Sequence, residues 1–142
     1  MKGGEIMKLN QECVRDLLLA VEEQLRLEPV GIDQLIDQSD LYLRVDDQYK
    51  YELEELIYTA QKLNEAGFIN GDSSIGYDQF TDFTVESITW NGHKFLDTVR
   101  DNKVWSDTKK ITSKFSSVSL SLVENVASTV ISQIISKYLH LD

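Results

Sequence analysis

The chain has 142 residues, 42% of them hydrophobic, which is enough for one domain with a real core and too apolar for a disordered chain. A single cysteine, Cys13, excludes an internal disulfide and a cysteine-based zinc site, and fits a reducing cytoplasm as it would a secreted protein without disulfides. The net charge is -10, and the stretch 28–80 holds most of it: twelve acids against three bases, Arg44, Lys50 and Lys62. A field of that sign repels phosphate backbones and attracts basic surfaces.

Residues 1–6, MKGGEI, lack the apolar run of a signal peptide. Met7 opens the more natural start MKLNQECV, so 1–6 are expected to be a non-native or alternative-start extension. From 10 to 27 the apolar residues Val14, Leu17, Leu18, Val21 and Leu25 follow helical spacing, with Asn10 as N-cap and Pro29 as the stop. A short helical turn is expected at 32–38 and a brief strand at LYLRV, 41–45.

Residues 47–66 form the best-defined predicted helix, with Leu53, Leu56, Ile57, Ala60 and Leu63 on one inward stripe. LNEAGF ends it: Gly67 takes the left-handed position and Phe68 follows, as a Schellman ending requires. FINGDSSIGYDQFTDFTVESITW then reads as strand, loop, strand. Phe68–Asn70 leads in, Gly71 to Gly76 turns, and Phe83, Val85 and Ile88 lie on the return. Thr89 caps the next helix, which carries Phe95, Leu96 and Val99. After a break at Asp101–Asn102, Val104, Trp105, Thr108, Ile111 and Phe115 resume helical spacing.

SKFSSVSLS is a serine-rich joint before a last helix at about 119–139. Its apolar residues come in pairs, with polar residues in every turn, so it is not expected to span a membrane. Either it folds back on its own domain, or it makes a homodimer through Val123, Val126, Val130, Ile131, Ile134 and Tyr138.

The order helix, short helix, helix, hairpin, helix predicts a mainly α, winged-helix-like domain over 7–100, with the hairpin as wing. A C-terminal helical extension occupies 101–142. LLLAVEE near the start, LNEAGFI before the hairpin and ITWNGHKFLDTVRDNKVW after it resemble one family, that of domain of unknown function twenty-five-thirteen, over roughly residues 7–142. The resemblance implies a winged-helix-like fold and a phage or prophage origin. It implies no activity, cofactor or catalytic residue.

No chemistry of an enzyme is legible, and no cofactor or metal is expected. His93 and Asp97 are spaced i, i+4 but have no nucleophile or metal set beside them, and His93 serves better at the strand-to-helix junction. GDSSIG lacks the lysine and spacing of a phosphate loop. Cys13 belongs with the first helix's core.

The 47–66 helix carries the sharpest signal. Opposite its apolar stripe lie Tyr51, Glu55, Tyr58 and Lys62, flanked by Glu54 and Glu65. A DNA-reading helix in this position presents basic and amide side chains. This face instead suits a protein partner, a basic host or phage protein, to which it could stand as an acidic mimic of DNA. The alternative packs Tyr51 or Tyr58 inside and leaves the glutamates merely solvated. A DNA-binding regulator is the rival function, and its contacts must come from Lys94, Arg100, Lys103, Lys109, Lys110 and Lys114, which are interleaved with acids.

Overall fold

The computed structural model describes residues 8–38, 44–45, 48–75 and 81–140. The expected extension at 1–6, the start at Met7, residues 41–43 of LYLRV, and Gly76 and Asp78 of the hairpin lie outside the described residues. The chain divides into two compact units, residues 1–92 and 93–142.

The first unit, called the body below, runs α1 (Gln11–Gln24), β1 (Val30–Gly31), α2 (Ile32–Gln38), β2 (Arg44–Val45), β3 (Gln48–Tyr49), α3 (Leu53–Glu65), β4 (Ile69–Ile75) and β5 (Thr81–Ile88). A further helix, α4 (Trp90–Val99), starts in its last residues and continues into the second unit. The second unit, the hairpin, adds α5 (Asn102–Thr112) and α6 (Leu120–Tyr138).

Local chemistry sets the helix ends. The Asn10 side chain caps α1 by accepting from the Cys13 amide at 3.2 Å. At the end of α3 the Phe68 amide donates to the Leu63 carbonyl at 2.9 Å and the Gly67 amide to Asn64 at 3.2 Å. With Gly67 at φ 78°, this is the expected Schellman ending.

The strand order is β1-β5-β4, all antiparallel, and β2 pairs with β3 in a separate ribbon. The body is therefore helical with a small sheet whose β4–β5 ribbon is the expected wing. α1 packs on α3, and both lie against β5. Val14, Leu17, Leu18 and Val21 of α1, Leu56, Ala60 and Leu63 of α3, and Ile69, Phe83 and Val85 of the sheet are buried in its core. In the β2–β3 ribbon, set between α2 and α3, Arg44–Val45 is the described end of the strand expected at 41–45, while its partner Gln48–Tyr49 falls where helix was expected.

Three expectations need correction. The third helix begins at Leu53 rather than 47, because Gln48–Tyr49 pair with Arg44–Val45 as strand. Leu53, placed on the inward stripe, is 36% exposed in the first turn. The residues Gly71 to Ile75 do not turn but continue β4, in register with Thr81–Val85. A bulge there leaves Glu86 without an opposite residue, since Asn70 faces Ser87 and Gly71 faces Val85. Gly71 is needed at that point: a Cβ would come within 2.7 Å of both the Phe83 ring and the Thr84 carbonyl.

Thr89 ties the strand-to-helix corner together, as expected of a cap. Its hydroxyl accepts from the Gly92 amide at 3.0 Å and donates to the Gly67 carbonyl, while its amide donates to Phe68 at 3.0 Å. A Cβ on Gly92 would run into the Phe68 carbonyl and approach Ile88 Cγ2 to 2.8 Å. The glycine of TWNGH thus lets α4 start close against the end of α3.

In the hairpin, Asp101 caps α5 by accepting from the Lys103 and Val104 amides at 2.9 and 3.0 Å, and Ser119 caps α6. α5 packs on α6. Val104, Trp105 and Thr108 are buried on α5, and Val123, Ala127 and Val130 on α6. The paired apolar positions of α6 thus divide: Val123, Ala127 and Val130 turn inward, Leu122 and Ile135 stay exposed, and so do both members of the last pair, Tyr138 and Leu139. Among the described residues no helix is long and apolar enough to cross a membrane.

Candidate functional site

The predicted face around α3 is only partly assembled. Tyr51 precedes the helix and is buried, with its hydroxyl donating to Asp16 Oδ2 at 2.7 Å. The same Asp16 oxygen takes an ion pair from Lys50 Nζ at 2.7 Å, so α1 anchors the segment leading into α3. Burial, and then the bond to Asp16, push the Tyr51 phenol well above its ordinary range. Tyr51 therefore leaves the exposed face and joins the core, the alternative weighed for it above.

Glu55 is half-buried and accepts from Asn10 Nδ2 at 3.2 Å, which links α3 to the α1 cap. What remains for a partner is Glu54, Tyr58, Lys62 and Glu65. Glu54 and Glu65 are exposed and Tyr58 is half-buried. Lys62 lies 5.4 Å over the Tyr58 ring and pairs with Glu65 at 3.0 Å, so its charge is locally offset. That hydrogen bond to Glu65 also raises the Lys62 pKa. The face stays net negative, with one aromatic ring at its middle.

The other residues with chemical potential resolve as structure. Cys13 is buried, and burial lifts its thiol from 9.0 to about 12, so no thiolate is available at neutral pH. Thr59 Oγ1 donates to its sulfur at 3.5 Å. Asp97 is held by Arg100 at 2.9 Å, and His93 is exposed on the first turns of α4. GDSSI is strand. Among the described residues no three His, Cys, Asp or Glu side chains gather as a metal set.

The bases proposed as DNA contacts all fall in the hairpin unit, and most face an acid. Lys94 lies 3.9 Å from Glu124, Arg100 pairs with Asp97, and Lys103 and Lys110 share Asp107 at 3.2 and 3.9 Å. Lys109 lies 5.9 Å over the Trp105 ring, and Lys114 is exposed just beyond α5. Dividing the charge by unit sharpens the contrast. The body holds nineteen acids against seven bases, net -12, and the hairpin five acids against seven bases, net +2.

One feature went unread in the sequence. Between α5 and α6 lies an open groove of about 340 Å³, with Ile111, Val130 and Ile134 as floor and Lys103, Lys110 and Lys137 with Asp107 and Gln133 as rim. Only helix pairing brings Lys137 beside Lys103, 34 positions apart, so no local pattern signals it.

A protein family described as "Hypothetical protein (DUF2513)" matches residues 8–119. The chain belongs to this family. The family match takes in the body, α4 and α5 and ends at the Ser119 cap of α6. An uncharacterised protein of Haemophilus influenzae (strain Rd) is 30% identical over 132 residues, covering 91% of this chain and 99% of the relative. No solved structure matches the chain.

Proposed function

We propose that this family member is a non-enzymatic interaction module that holds a basic protein partner on the acidic face of α3. The observation that carries the reading is the exposed pair Glu54 and Glu65 about Tyr58, with Lys62 offset by Glu65, on a body of net charge -12. In the winged-helix-like order α3 occupies the position that reads DNA in such domains, and here its charge opposes a phosphate backbone. A nucleic-acid-binding host protein is a natural partner for such a surface, which makes the body an acidic stand-in for DNA. We further propose that the protein acts in a bacterial cytoplasm, a reading supported by its resemblance to phage and prophage proteins. No catalytic step, cofactor or metal enters the reading.

The test uses the full chain and a fluorescein-labelled lysine- and arginine-rich peptide, followed by anisotropy. Binding that weakens with salt, and that falls about tenfold in Glu54→Lys/Tyr58→Ala/Glu65→Lys, supports the reading. Equal binding by wild type and variant refutes it. Glu55 is left intact because it supports Asn10.

The DNA-binding regulator is the second reading. It is favoured by the winged-helix-like order and by the exposed Lys109, Lys110 and Lys114. Lys109→Glu/Lys110→Glu abolishes duplex binding under that reading and leaves the α3 partner untouched under the first. A homodimer through the end of α6 accompanies either reading, but without Val123 and Val130 of the expected dimer face, which are buried within their own unit. Ile135, Tyr138 and Leu139 are exposed apolar residues toward its end, beside the half-buried Val126, Ile131 and Ile134.

A further inference from the structure

We propose that the groove between α5 and α6 docks an acidic amphipathic helix of a partner protein. This is a second surface, opposite in charge to the α3 face and independent of it. The inference starts from what two antiparallel helices leave undone. α5 and α6 bury Val104, Trp105, Val123 and Ala127 against each other and within their unit, each at 5% exposure or less. Alongside that seam, from Lys103 to Ile111 on α5 and from Val130 to Lys137 on α6, runs an open groove, and Ile111 in its lining is 41% exposed. Two packed helices offer a third helix a ready-made furrow, and an apolar stripe at i, i+3, i+4, i+7 fits Ile111, Val130 and Ile134.

The rim decides what flanks that stripe. Lys103, Lys110 and Lys137 stand around the floor, and Asp107 is the one acid of the lining. Asp107 is shared by Lys103 and Lys110 and cannot offset both, and neither ion pair reaches Lys137. The lining thus carries a net charge of +2 on a molecule whose total is -10. Acidic side chains on either side of an apolar stripe answer that charge, and a basic helix is repelled by it. Duplex DNA uses the lysines but gains nothing from the isoleucine and valine floor. A bilayer surface is too flat to enter a furrow between two helices.

The experiment titrates full-length protein into two labelled synthetic helices of about 18 residues, five turns each. Both carry the same leucine stripe; one is flanked by glutamate and the other by lysine. The glutamate-flanked peptide is expected to bind about tenfold more tightly, and to lose at least that much against Lys103→Glu/Lys110→Glu/Lys137→Glu. All three lysines are exposed, and circular dichroism of the variant confirms that it folds. Ile111→Glu, also at an exposed position, gives an independent loss through the floor. Equal or preferred binding of the lysine-flanked peptide overturns the proposal, as does unchanged binding by the triple variant. Displacement of the acidic peptide by a generic duplex or by anionic vesicles at lower concentration also overturns it, and assigns the groove to nucleic acid or to membrane.

Discussion

The two units solve burial and charge differently. The body closes its core: Val14, Leu17, Leu56, Leu63, Phe83 and Val85 are buried almost completely, and its excess charge is all acidic. The hairpin buries one stripe between α5 and α6 and leaves Ile111, Phe115, Ile135, Tyr138 and Leu139 in the open, with lysines among them. A closed acidic unit attracts a partner through its surface charge. An open, lysine-rimmed unit offers apolar area that a partner can cover. One small chain thus carries an acidic unit and a lysine-rimmed unit, and the two proposals above assign them partners of opposite charge.

The widest separation between the units should come from aromatic truncation. Phe83→Ala empties a fully buried site in the body and is expected to cost about 3–5 kcal/mol. Phe115→Ala, at 61% exposure in the hairpin, should change stability by less than about 0.5 kcal/mol. Urea unfolding of both variants checks the pair, and comparable losses would erase the distinction.

Next comes the anchor of α3. Tyr51→Phe removes a hydrogen bond to the Asp16 carboxylate and should cost about 1.5–3 kcal/mol, with no loss of peptide binding at the α3 face. A variant that keeps its stability and loses the partner would return Tyr51 to the interaction surface.

A smaller effect follows from Cys13. Burial raises its folded thiol pKa from 9.0 to about 12, so folding favours the protonated form. That contribution is complete below pH 9 and is lost as pH rises toward 12, by about 1.4 kcal/mol per pH unit in between. Wild type should therefore lose more stability between pH 8 and pH 10 than Cys13→Ala does, by roughly that one-unit amount. A smaller loss again is expected at a helix end in the hairpin, where Asp101→Ala removes the α5 cap at about 1 kcal/mol. Thermal unfolding resolves it.

What was legible in the sequence was local. Asn10, Thr89 and the Gly67–Phe68 ending act within a few residues of the groups they satisfy, and each sits where its chemistry predicts. The paired apolar residues of α6 gave the helix, though not which member of each pair turns inward. What escaped was long-range. Residues 48–52 look helical on pattern, and only pairing with Arg44–Val45 and the bond from Tyr51 to Asp16, 35 positions away, make them otherwise. Gly71 to Ile75 are polar and turn-like in composition, and become strand because β5 lies beside them. Of the candidate face, Glu54, Tyr58, Lys62 and Glu65 survive because they share one helix. Tyr51 and Glu55 are drawn away by partners on and before α1. The charge division was half-visible: a count over 28–80 finds the acids, but the hairpin's small positive excess emerges only once the units are known.

On the proposed function, the acidic body turns this winged-helix-like domain away from DNA and toward a basic protein. Fluorescence anisotropy of a labelled generic duplex against the full chain, at low and at moderate salt, tests that most directly. No binding is expected up to about 100 μM protein even at low salt, since phosphate contacts supply most non-specific affinity. Micromolar binding that weakens as salt rises would contradict it, and would make the hairpin lysines a nucleic-acid surface.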